Sequence, residues 1–227
     1  MITIFIAGDS TAANGNKPDS PDCGWGYVFG EYFNDGVKVE NRAINGRSTK
    51  SFIDNGNLER IIDDSSPGDY LFIQFGHNDG KPDGERRTEP FTTYKQNLVI
   101  FIIKARVSSM IPVLLTPVFR RKFDADNRAV NTHGDFPAAM REAAADAGVK
   151  LIDMTAKTEK LLNELGADGT KKLFRHFLPG EYPDFPDGIE DDSHFSRYGA
   201  HEVSKLVVEG INEELPELCR YLTCRHI

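Results

Sequence analysis

Ile2-Thr3-Ile4-Phe5-Ile6-Ala7-Gly8-Asp9-Ser10 opens the chain with a short apolar run that stops at glycine and two small polar residues. A run of this length with little polar alternation reads as a strand buried on both faces, as parallel strands are. The same shape recurs at Val37–Asn41, at Tyr70–Phe75 between Pro67-Gly68-Asp69 and Gly76, at Pro112–Leu115 and at Lys150–Ile152. Helical spacing fills the intervals. It predicts helices over Trp25–Phe33, Leu58–Ile62, Thr93–Ser109, Pro137–Ala147 and Thr155–Leu165. A Pro- and Asp-rich loop follows, and then a final amphipathic helix from about Tyr198 to Glu213. Such alternation implies an α/β fold, a three-layer α/β/α sandwich around a parallel sheet of about five strands, flavodoxin-like in outline. Ile2–Ala7 and Tyr70–Phe75 are expected near the sheet centre, and residues 1–227 are expected to form a single domain.

Composition narrows the classes of function. With 39% hydrophobic residues, 15 Phe and 7 Tyr in 227 residues, the chain has ample material for a core. Its formal net charge of -8 argues against nucleic acid as a partner. Apolar runs such as Leu98–Ile103 fall far short of the ~18–20 residues of a membrane span. The start shows no basic region followed by a long apolar one, so a cytoplasmic protein is expected. Three Cys, Cys219 and Cys224 among them, make no disulfide framework. His201 follows His194 by seven residues, but no His-x-x-x-His or Cys cluster of zinc spacing accompanies it, and neither metal nor cofactor is implied.

In a parallel sheet of this kind, ligands bind beyond the carboxyl ends of the strands. Four successive strands end there in Gly8-Asp9-Ser10-Thr11, Asn41 to Ser48, Gly76-His77-Asn78-Asp79 and Thr116-Pro117 followed by Phe119-Arg120-Arg121. Turns favour Gly and Asn anyway, but four such loops together point to a site. Acyl transfer is the chemistry they suit. Ser10 would be the nucleophile, with His194 as its general base. Asp191, three residues earlier, would hold the far ring nitrogen, with Asp192 as a competitor for that role. The backbone N–H groups of Ser10 and Gly46 and the side-chain amide of Asn78 would form the oxyanion hole. The plainer reading of Ser10 is a helix N-cap.

Gly8-Asp9-Ser10, Gly46, Gly76-x-Asn78-Asp79 and Asp191-x-x-His194 resemble, in order, the four blocks of the SGNH (GDSL-type) hydrolase superfamily. Asn41-Arg42-Ala43, Gly46-Arg47-Ser48, Phe75 to Asp79, Thr116-Pro117-Val118 and His194-Phe195-Ser196 are similar to rhamnogalacturonan acetylesterases in particular. The first block departs from the broader label, since Thr11 stands where Leu would follow. The resemblance implies a serine esterase that removes O-acetyl groups from pectin-derived saccharides. Without an export signal, acetylated oligosaccharides are favoured over the polymer. Arg47, Arg120 and Arg121 are candidates for binding galacturonate carboxylates, weighed against ordinary surface charge. Trp25 and Phe119 are candidates for sugar stacking, weighed against a place in the core.

Other readings compete. The same machinery would serve a lipase, a thioesterase or a xylan acetylesterase, although polar loops argue against long acyl chains. A classical α/β-hydrolase carries its serine after several strands rather than the first. From a different class, a non-catalytic carbohydrate-binding protein conflicts with the full set of site residues. A flavodoxin-like cofactor binder lacks a phosphate-binding fingerprint.

Overall fold

The structure, a computed structural model, describes residues 1–223; Cys224 and His226 lie outside the described residues. Five strands, β1 (Ile2–Gly8), β2 (Val37–Asn41), β3 (Tyr70–Gln74), β4 (Ile111–Leu115) and β5 (Lys150–Ile152), form one sheet in the order β2-β1-β3-β4-β5. All four pairings are parallel. The expected five-stranded parallel sheet is therefore present, with β3 at its centre and β1 beside it.

Alternation along the strands divides the core into two layers. Ile4, Ile6, Phe72, Val113 and Leu115 face one way, while Phe5, Ala7, Leu71, Ile73 and Leu114 face the other. Against the first face pack α1 (Trp25–Val28), α6 (Met154–Gly169), α7 (Arg197–Glu214) and α8 (Pro216–Cys219). Against the second pack α2 (Thr49–Asp54), α3 (Asn57–Asp64), α4 (Lys95–Val107) and α5 (Phe136–Ala147). Helix α4 buries the stripe expected of it, Leu98, Phe101, Ile102 and Ala105. The helix expected at Trp25–Phe33 is α-helical only over its first four residues, which pass into a 3₁₀ turn over Phe29–Tyr32.

One element lies apart from the sheet and decides the site. Strands β6 (Phe174–Phe177) and β7 (Ile189–Phe195) pair antiparallel where the sequence reads as loop. Phe174 faces Phe195 and Arg175 faces Asp191, so Asp192, Ser193 and His194 bulge out between consecutive β6 partners. A bulge re-aims side chains, and this one turns His194 toward the end of β1.

Candidate active site

The turn after β1 is pinned from beneath. Asp9 is fully buried, and its Oδ1 accepts from Thr11 N–H at 2.9 Å and Thr11 Oγ1 at 2.8 Å. Its backbone carbonyl accepts from the N–H groups of Ala12 and Ala13. Burial pushes the Asp9 carboxyl up, against the Thr11 hydrogen bonds that pull it down. The rigid turn leaves Ser10 half-buried with its hydroxyl at the cavity wall.

His194 meets that hydroxyl: Nε2 lies 2.9 Å from Ser10 Oγ. On the far side of the ring, Nδ1 lies 2.7 Å from Asp191 Oδ2. Asp191 Oδ1 accepts from the backbone N–H groups of Ser193 at 2.8 Å and His194 at 3.0 Å, so the carboxylate itself shapes the bulge. Arg175 donates to Asp191 Oδ2 from the facing strand, and to Asp22 Oδ2 at 3.0 Å. Burial alone would push the Asp191 carboxyl up. The hydrogen bonds from His194, Arg175 and the two backbone N–H groups outweigh it and hold the group well below the usual carboxylate range. Asp192 points elsewhere, to His176 Nε2 at 2.7 Å and Arg121 Nη1 at 2.9 Å. Of the two carboxylates, only Asp191 reaches His194.

The other two loops bring donors to the same cavity, which holds about 360 Å³ and includes Ser10, Gly46, Asn78 and His194 in its wall. Gly46 sits at φ +73°, the left-handed region that favours glycine. Ser48 follows as the N-cap of α2, in a reciprocal capping box with Ser51. Gly76 has φ +143°, and a Cβ there would come 2.8 Å from Pro117 Cγ, so the turn into Asn78 needs a glycine. Asn78 donates one N–H of its amide to the Arg47 carbonyl at 3.0 Å, which fixes the side chain and, among the described residues, leaves its second N–H uncommitted. Ser10, Gly46, Asn78, Asp191 and His194 are thus brought together from four separate segments. The arrangement can pass a proton from a serine hydroxyl to an imidazole and offer donors to a developing oxyanion.

The arginines and aromatics lie differently. Arg47 joins the site through its carbonyl, and its guanidinium does not line the cavity. Arg120 lies in the wall of a neighbouring cavity and donates to His77 O at 2.9 Å and Thr132 Oγ1 at 3.1 Å. Arg121 is committed to Asp192 and to Ala167 O. Trp25 and Phe119 are buried, with Trp25 Nε1 donating to Gln74 Oε1 at 2.8 Å, so both belong to the core. His201 lies against Tyr32, away from His194. Among the described residues no group of three His, Cys, Asp or Glu is placed to hold a metal ion. Sequence reasoning missed Arg175, Asp22 and Lys81. The signal for Arg175 was its pairing opposite Asp191, which becomes readable only once the β6–β7 register is known.

Residues 6–201 match the GDSL-like lipase/acylhydrolase family. The chain belongs to that family. It is a carboxylic ester hydrolase by that membership. Among curated proteins, it is 47% identical over 212 residues to the rhamnogalacturonan acetylesterase RhgT of Bacillus subtilis, covering 93% of this chain and 90% of the relative. It is 40% identical to the probable rhamnogalacturonan acetylesterase YesY of the same organism, over 92% of each chain. Among solved structures, protein YxiM of Bacillus subtilis superposes with a TM-score of 0.80 at 25% identity. That match covers 93% of this chain and 56% of YxiM, so the chain spans little more than half of that neighbour.

Proposed function

We propose that this esterase removes O-acetyl groups from rhamnogalacturonan saccharides, with Ser10 as nucleophile, His194 as general base and Asp191 as the residue that orients it. The observation that carries the reading is the unbroken relay from Ser10 Oγ through His194 to Asp191, at 2.9 Å and 2.7 Å, at the edge of an open polar cavity. Ser10 Oγ attacks the acetyl carbonyl carbon while His194 Nε2 takes the hydroxyl proton. Asp191, held ionised by Arg175 and two backbone N–H groups, balances the imidazolium and keeps the Nδ1 proton facing it. The charge that develops on the carbonyl oxygen meets the N–H groups of Ser10 and Gly46 and the Asn78 amide. His194 then returns its proton to the departing sugar oxygen. Water, activated by the same imidazole, cleaves acetyl-Ser10 and releases acetate.

The cavity wall supports a small acyl group on a polar carrier. Asn14, Asn16, Asn45, Asn78 and Lys81 line it, with Phe195 as its large apolar member. A long acyl chain would need an extended apolar lining. The identity to RhgT and YesY supports the saccharide part of the reading. Hydrolysis of chromogenic acetyl, butyryl and octanoyl esters, beside acetate release from acetylated rhamnogalacturonan oligosaccharides, tests it. Acetyl should be preferred, and the oligosaccharide should be deacetylated. Preference for octanoyl, with no acetate from the saccharide, would overturn it.

A further inference from the structure

Beside the Ser10 cavity lies a second one of about 320 Å³, with Lys81 in the wall of both. His77, Arg120, Thr132, His133 and Phe136 complete most of its lining, and among the described residues neither Asp nor Glu takes part. Two formal positive charges therefore face one cavity in a chain whose net charge is -8. Their situations differ. Arg120 is anchored by His77 O and Thr132 Oγ1, so its charge is fixed in place. Lys81 is exposed, and among the described residues its ammonium has neither an ion pair nor a hydrogen bond.

The two histidines are unsatisfied. His133 is 4% exposed and His77 is 7% exposed, yet among the described residues no ring nitrogen of either has a hydrogen-bond partner. Their rings stack edge to face with centroids 4.4 Å apart. Burial, helped by the charge of Arg120, pushes His133 down to about 3, so the ring is neutral near pH 7 and carries one N–H donor. Buried donors left without partners are costly, and a ligand oxygen entering the cavity would satisfy them. Asp9 lies 3.7 Å from His77 Nδ1 but is fully buried and forms no part of the wall. The cavity wall thus presents one anchored and one unpaired positive charge and neutral N–H donors, with no acid among its lining residues. That is the chemistry of a carboxylate site.

We propose that the second cavity is a subsite for the carboxylate of a uronic acid unit of the substrate, and that Lys81 is the residue that selects for it. The inference rests on the reading of the Ser10 cavity as the acetyl ester site. It deepens that reading, since Lys81 joins the two cavities and would tie ester position to acid position on one saccharide. Lys81 serves as a point charge that follows the carboxylate, with Arg120 and His133 offering the deeper donors.

The test uses an acetylated rhamnogalacturonan oligosaccharide with free carboxylates and the same compound with its carboxyls methyl-esterified. Acetate release is measured for wild type, Lys81→Ala and Lys81→Glu at low salt, where exposed charges act most strongly. Binding of the deacetylated acidic oligosaccharide is measured separately by calorimetry. The wild type should favour the free acid about two- to fivefold, the range for an exposed ion pair. Lys81→Ala should reduce that preference to what Arg120 alone sustains, and Lys81→Glu should reduce it further. Calorimetry should show the same loss of affinity. Acetate release without carboxylate preference, or a preference undiminished in Lys81→Ala, overturns the subsite and leaves the esterase reading standing. Lys81-dependent binding without acetate release supports the subsite and overturns the esterase reading. Absence of binding by calorimetry overturns the subsite.

Discussion

Arg175 lies opposite Asp191 across the β6–β7 pair and donates to the same Oδ2 that receives the His194 ring. One guanidinium therefore joins Asp191 to Asp22, whose segment bridges to Ser196 just after the bulge. The carboxylate that orients the histidine is itself oriented by charge from the neighbouring strand.

Arg175 should accordingly act as a positioning residue. Arg175→Gln is expected to lower kcat ~10-fold with a smaller change in KM, because the loss is felt through Asp191 and through the His194 ring, whose Nδ1 lies 2.9 Å from Arg175 Nη2. Arg175→Lys should recover part of the turnover by restoring the charge without the fork. Steady-state kinetics on a soluble acetyl ester checks both. Raised KM with unchanged kcat would make Arg175 a substrate contact instead.

The two adjacent carboxylates should separate cleanly. Asp191→Asn should depress turnover strongly while the fold persists, since an amide at this place stabilises the wrong imidazole tautomer. Asp192→Asn should do far less, because its partners are His176 and Arg121. Circular dichroism alongside kinetics distinguishes lost chemistry from lost structure. A larger effect at Asp192 would redraw the relay.

Asp79 predicts a pH-dependent stability. It is fully buried, and its Oδ1 accepts from Thr49 N–H, Thr49 Oγ1 and Thr88 Oγ1 while Oδ2 has no partner among the described residues. Burial outweighs those bonds and raises its pKa from 3.8 to about 7. A folded-state value above the unfolded one favours the protonated acid. That stability is present below the unfolded pKa and is lost as pH rises through about 7. Asp79→Asn imitates the protonated form. It should match wild type near about pH 4 and exceed it by ~2–4 kcal/mol near about pH 8. His77 and His133, lowered by burial, lose stability in the opposite direction as pH falls below 6.5, so the difference between variant and wild type is the quantity to read. Urea unfolding at both pH values measures it. A difference that does not grow with pH would contradict the assignment.

The sheet was legible because β1 and β3 are buried on both faces, and their apolar runs leave no second interpretation. The loops at its edge were legible for the same reason, since each strand end fixes where the next polar residues must lie. The β6–β7 pair was not. Ile189-Glu190-Asp191-Asp192-Ser193-His194-Phe195 places three acids in a strand, and its bulge erases the period of two. Helix α2 was missed because it has six residues and a capping box with Ser51, rather than Glu or Gln, at its third position. Asp191 and His194 were expected to meet because they are three residues apart; the structure brings them together in a bulge closed by backbone N–H groups onto the carboxylate.

On the proposed function, acetate leaves rhamnogalacturonan saccharides through an acyl-enzyme on Ser10. Mass spectrometry of acetylated rhamnogalacturonan oligosaccharides, incubated with wild type and with Ser10→Ala, tests it most directly. Wild type should strip acetyl groups, and an organophosphonate should block it by labelling the peptide that carries Ser10. Ser10→Ala should leave the saccharides acetylated while unfolding at the wild-type temperature. Deacetylation by Ser10→Ala at the wild-type rate, or labelling at another serine, would contradict the account.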